Sequence, residues 1–165
     1  MPSIELYVIR HGLAGERGTY ANDDERPLTE EGRTKTKRVA KRLHELGVQF
    51  DLLQTSPLVR AYQTAEILRS VGLSKQLEVS EYLAPAGDFD AWVDGLQQWR
   101  KGRTQLAIVG HEPDLGEWTE RLLWGTVRHQ LIIKKAGVIG LVLPEDGSPI
   151  GRSQLFWFTP PKYLL

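Results

Sequence analysis

The stretch Ile4-Glu5-Leu6-Tyr7-Val8-Ile9, running directly into Arg10-His11-Gly12, decides the fold. A short, nearly continuous apolar run suits a strand buried on both faces of a parallel sheet. It has two counterparts. Phe50-Asp51-Leu52-Leu53 leads through Gln54-Thr55-Ser56-Pro57 to Arg60, and Leu106-Ala107-Ile108-Val109 leads into Gly110-His111. In an open α/β sheet, ligands bind in the crevice beyond the carboxyl ends of the strands. Two arginines and two histidines delivered to one crevice would hold a doubly charged oxyanion, with an imidazole available as nucleophile.

Between these strands the sequence reads as helix. Thr29 is placed as an N-cap, with Glu30 and Glu31 where the helix dipole favours acids. Val39, Ala40, Leu43 and Leu46 follow at helical spacing, and Gly47 is a stop. Ser56-Pro57 predicts a second helix with Ser as cap and Pro first; Leu58, Ala61, Ala65 and Leu68 form its buried stripe, and Gly72 ends it. Leu77 to Val79 is a third strand. Asp88 caps a helix carrying Phe89, Trp92, Val93 and Leu96, and Pro113 opens another that runs to about Trp124. Val138–Leu143 and Gln154–Phe158 read as an antiparallel closing pair, with a turn signal at Pro144-Glu145-Asp146-Gly147. The expected architecture is a three-layer α/β sandwich: one mostly parallel sheet with helices on both faces, forming a single domain over residues 1–165. Residues 12–28 show no period, and a loop of that length is more often functional than decorative.

Composition narrows the function classes. Lys and Arg together number 21, as do Asp and Glu, so no general attraction to nucleic acid or anionic membrane is expected. The absence of cysteine excludes disulfide scaffolds, thiolate metal sites and thiol nucleophiles, and fits a cytoplasmic protein. The chain opens on a strand pattern rather than a secretory leader, and no apolar run approaches the ~20 residues of a membrane span. A monomer is expected. The basic residues of the first helix read as a solvated face, most of the five tryptophans as packing residues, and His44 and His129 as solvated.

Arg10 and Arg60 can each present a planar fork of donors to phosphate oxygens. Neutral His11 can attack phosphorus, and His111 can donate to a phosphoryl oxygen. Gly12 would let backbone approach the ligand closely. Arg60 falls in the first turn of its helix, where the backbone itself favours an anion.

Four segments, in this order, resemble the histidine phosphatase superfamily, whose fold is phosphoglycerate mutase-like. They are Arg10-His11-Gly12, Arg26-Pro27-Leu28-Thr29-Glu30-Glu31-Gly32, the run from Ser56 to Ala65, and Gly110-His111-Glu112-Pro113. The compact length and Leu83-Ala84-Pro85-Ala86-Gly87-Asp88 narrow the resemblance to SixA-like phosphohistidine phosphatases. The resemblance implies His11 as the phosphorylated nucleophile, and Arg10, Arg60 and His111 as the phosphate pocket. Gly12, Arg26 and Ser56 are candidate substrate-binding residues, and no metal or other cofactor is implied. Longer members of the superfamily place a proton-donating Glu after the third strand; here the candidates are Glu81 and Asp88. A phosphoester needs such an acid, whereas phosphohistidine breaks a weaker P–N bond. The first expectation is therefore a phosphatase acting on a phosphohistidine-bearing protein, such as a phosphorelay domain. The alternatives are a phosphomonoesterase for sugar phosphates or nucleotides, and a non-catalytic phosphate-binding adaptor.

Overall fold

A computed structural model describes residues 2–165. Its centre is a six-stranded sheet made of β1 (Ile4–Arg10), β2 (Leu52–Thr55), β3 (Leu77–Val79), β4 (Gln105–Gly110), β5 (Val138–Leu143) and β6 (Gln154–Thr159). The spatial order is β3-β2-β4-β1-β5-β6. β3, β2, β4 and β1 are parallel neighbours, β5 runs antiparallel to β1, and β6 returns antiparallel to β5 at the edge.

Alternation along the strands sorts side chains into two cores. Leu6 and Val8 of β1, with Leu106 and Ile108 of β4, face α3 (Phe89–Trp99) and α4 (Asp114–Trp124). Tyr7, Ile9, Ala107 and Val109 face α1 (Glu30–Glu45) and α2 (Val59–Val71). The expected layers and the mostly parallel sheet are therefore present, with β5 as the reversed strand.

Local signals place most boundaries. The Thr29 hydroxyl accepts the Gly32 N–H at 2.9 Å, the Asp88 carboxylate accepts the Ala91 N–H at 3.0 Å, and Gly72 ends α2 in the left-handed region at φ 105°. Two details differ from expectation. α2 begins at Val59, not Pro57, because Ser56 spends its hydroxyl on the Leu58 N–H before the helical turn starts. Leu46 closes α1 from the outside and is half exposed.

Pairing of Arg10 with Gly110 and of Thr55 with Val109 brings three strand ends level. The register continues one residue further: the His11 N–H donates to the Gly110 carbonyl at 3.1 Å, and the Ser56 N–H to the Val109 carbonyl at 3.0 Å. Beyond them, the loop after α4 is held by two carboxylates. Buried Glu120 accepts the N–H groups of Arg128, Gln130 and Leu131, and Glu112 accepts those of Gly116 and Ile133. Among the described residues no helix is long and apolar enough to cross a membrane.

Gly12 is pressed against α1, where a β-carbon would lie 2.3 Å from the Thr36 hydroxyl and no closer than 3.4 Å to anything else. That hydroxyl is buried without a partner among the described residues. Gly12→Ala is expected to cost about 1–3 kcal/mol by overpacking. Thr36→Ala, added to it, removes the clashing atom and should restore most of the loss in urea unfolding. Equal destabilisation with and without Thr36→Ala would contradict this packing account.

Candidate active site

His11 lies at the mouth of β1, buried, with its Nδ1 2.7 Å from the carbonyl oxygen of Gly12. A carbonyl only accepts, so Nδ1 carries the proton and Nε2 of the neutral ring keeps its lone pair. Burial, helped by the charges of His111, Arg60 and Arg10, lowers the His11 pKa to about 3, against the opposing pull of the Gly12 hydrogen bond. The ring is thus neutral at pH 7, with a lone pair on Nε2.

The His111 ring centre is 5.2 Å from that of His11. Burial, then the Arg60 and Arg10 charges, lower its pKa to about 4. Its Nε2 lies 2.8 Å from the Ser56 hydroxyl, which also accepts the Leu58 N–H. When the hydroxyl donates to Nε2, every group is satisfied except the His111 Nδ1–H. Nδ1 is buried and without a partner among the described residues.

The two arginines are held in the same way. Arg10 donates from one terminal nitrogen to the Ile133 carbonyl at 3.0 Å, and its Nε is buried without a partner. Arg60 donates to the Asp23 carbonyl at 3.0 Å and pairs with the Asp23 carboxylate at 3.2 Å; its Nε is likewise unpartnered. Buried polar groups are normally hydrogen-bonded. Both guanidinium charges act on both imidazoles, so Arg10, Arg60 and His111 form a donor-rich cradle beside the acceptor-bearing ring of His11.

The remaining sequence candidates have other roles. The Gly12 N–H is donated to the Thr64 hydroxyl at 3.0 Å, its carbonyl receives His11, and its smallness fits it against α1. Ser56 orients His111. Arg26 donates to the Asp23 carboxylate at 2.9 Å and to the Gly15 carbonyl at 2.7 Å, fastening the long loop to itself. Asp88 caps α3, and exposed Glu81 lines a separate cavity beside β3.

Sequence reasoning passed over Asp23, which joins Arg60 to Arg26, and Glu112, which holds the Ile133 backbone that receives Arg10. It also passed over Lys135, whose neighbour Ala136 donates its N–H to the Arg10 and His11 carbonyls. Burial and the Arg10, Arg26 and Arg17 charges lower the Lys135 pKa. The signal for Glu112 was its adjacency to His111; Asp23 and Lys135 lie in aperiodic loops that carry none. Among the described residues, no three or more His, Asp or Glu side chains are grouped to hold a metal ion.

Residues 6–85 match the family model of the histidine phosphatase superfamily (branch 1). An uncharacterised protein of Picosynechococcus sp. is 46% identical over 167 residues, spanning 98% of this chain and 99% of its own. Phosphohistidine phosphatase SixA of Escherichia coli is 29% identical over 149 residues, 88% of this chain and 89% of SixA. A solved structure of the protein histidine phosphatase SixA complexed with tungstate superposes with a TM-score of 0.86 at 26% identity, covering 98% of this chain and 100% of that one. The chain belongs to the histidine phosphatase superfamily. Within it, the resemblance is to SixA, over nearly the whole length and with the same α/β fold.

Burial of two neutral imidazoles has a thermodynamic consequence. With folded pKa values of about 3 and about 4 for His11 and His111, the unfolded state takes up protons first, from about pH 6.5 downward. Stability is then full above that pH and falls as pH drops, by about 2 kcal/mol for each ring at pH 5. The loss of urea stability between pH 7 and pH 5 should shrink by about one such contribution in His11→Gln. An unchanged pH dependence would show that His11 is not buried as the neutral base.

Proposed function

We propose that this protein is a phosphatase that removes the phosphoryl group from phosphohistidine on proteins, in the cytoplasm, through a phosphohistidine intermediate on His11. The observation that carries the proposal is a buried neutral His11 whose tautomer leaves Nε2 free, with His111 5.2 Å away between ring centres and the donor-bearing charges of Arg10 and Arg60 acting on both rings. Such donors match the equatorial oxygens of a phosphoryl group in flight. The likeness to SixA, and the tungstate bound in the SixA structure, support the same reading.

The reaction has two balanced steps. Nε2 of His11 attacks phosphorus, and the P–N bond to the substrate imidazole breaks. The electron pair goes to that imidazole, which departs neutral once its ring carries a proton on the other nitrogen. Water then attacks the phosphoenzyme, releasing inorganic phosphate and restoring neutral His11. Neither step calls for a carboxylic acid at the leaving group; Asp88 caps α3 and Glu81 lines the cavity beside β3.

Phosphoramidate, the simplest P–N substrate, tests the chemistry without a protein partner. His11→Ala should abolish turnover, while Arg10→Ala, Arg60→Ala and His111→Ala should each lower kcat/KM by about 10²–10³-fold. Near-normal rates in His11→Ala end the proposal, and phosphate binding without any turnover in the wild type would make the protein a phosphate-binding adaptor.

A second reading, a phosphomonoesterase for small molecules, is favoured by one feature: the Asp23 contacts fasten the long loop after β1 to Arg60. That reading requires a general acid. Glu81→Gln and Asp88→Asn are expected to leave phosphoramidate hydrolysis within about threefold of wild type, with ester hydrolysis slow throughout, because neither carboxylate serves the leaving group. Fast ester hydrolysis that either substitution abolishes would establish the second reading instead.

A further inference from the structure

Beside the cradle lies a second concavity that the chemistry does not use. A cavity of about 480 Å³ opens between β3 and α3, with Gln54, Glu78, Glu81, Tyr82, Trp92 and Trp99 among its walls. Trp92 and Trp99 are more than nine-tenths buried, and Tyr82 is half exposed at the rim. The only charged residues lining it are the two glutamates. Neither has a cationic partner among the described residues. Glu78 accepts a hydrogen bond from Gln54 at 2.9 Å, and Gln54 in turn accepts the Trp92 indole N–H at 3.0 Å, so the wall is built and fixed. The Trp99 indole nitrogen is buried without a partner among the described residues.

A cavity walled by indole rings and by two carboxylates without a cationic partner favours a cation, by ring electrostatics and charge together. The preference is already expressed once in the fold, since Arg103 lies 5.8 Å from the Trp99 ring centre. A Lys or Arg side chain suits the cavity better than a free cation, because its aliphatic stem covers apolar wall while its head meets the carboxylates.

The position ties this cavity to the cradle. The Ser80 N–H donates to the Thr55 carbonyl at 2.9 Å, one residue before the Ser56 that orients His111. Gln54, in the cavity wall, is therefore within ~7 Å of Ser56 along the chain. On the other side, a β-carbon on Gly110 would lie 3.5 Å from the Leu83 carbonyl. We propose that this cavity docks a basic side chain on the surface of the phosphorylated protein, placing its phosphohistidine over His11. The proposal rests on the protein-phosphohistidine reading and adds the partner's surface chemistry to it.

The test uses synthetic peptides carrying one phosphohistidine and one arginine at separations of two to eight residues. Matched peptides have alanine in place of the arginine, and phosphoramidate serves as the small substrate. At least one arginine peptide should show a KM about tenfold below its alanine partner. Glu78→Gln combined with Glu81→Gln should erase that difference and leave phosphoramidate hydrolysis unchanged. The Trp92 and Trp99 indole N–H resonances should shift when the arginine peptide, unphosphorylated, is added to the wild type. Equal KM values across the whole series, or a preference that survives in the double variant, overturn the docking proposal while phosphoramidate turnover stands. Loss of phosphoramidate turnover in the wild type overturns the underlying function instead.

Discussion

The hydrogen bond from His11 Nδ1 to the Gly12 carbonyl, 2.7 Å long, is the constraint on which the site depends. It chooses the tautomer, and the tautomer chooses which nitrogen keeps its lone pair. The bond needs the carbonyl of Gly12 held in one direction. The Thr64 hydroxyl does this by receiving the Gly12 N–H, and α1 does it by leaving no room for a side chain at that position. Two helices on one face of the sheet are thus recruited to aim a single ring.

Electrostatics complete what geometry begins. A buried imidazole beside two guanidinium groups and a second imidazole is costly to protonate, which keeps His11 and His111 neutral. The same crowding of donors is unfavourable until negative charge enters. Asp23 offsets part of it by pairing with Arg60 and Arg26, and Glu112 lies among the charges around Arg10. In the proposed function, a pocket organised in this way before a dianion arrives meets the condition for stabilising a transition state without reorganisation.

Much of this was legible in the sequence because strands and helices impose periods. The runs before Arg10, Ser56 and His111 mark buried strands, and their carboxyl ends meet because parallel strands share a direction. The caps at Thr29 and Asp88 and the left-handed stop at Gly72 follow from local chemistry. What could not be read lies in tertiary contacts of loops. Asp23 is one of three consecutive acidic residues, and nothing local distinguishes it as the partner of Arg60. Glu120 sits in an amphipathic helix, yet it is buried because three backbone N–H groups converge on it. Glu81 follows the third strand as expected of a proton donor, but β3 is the edge strand, and its end delivers that residue to the cavity at α3.

The central claim is that His11 attacks through Nε2, and the most direct measurement is the position of phosphate on the trapped enzyme. Protein mixed with phosphoramidate, quenched in base and examined by phosphorus–nitrogen-correlated NMR reports which ring nitrogen carries the group. The account predicts a single adduct on Nε2 of His11. Phosphate on Nδ1 of His11, or on another residue, would contradict it.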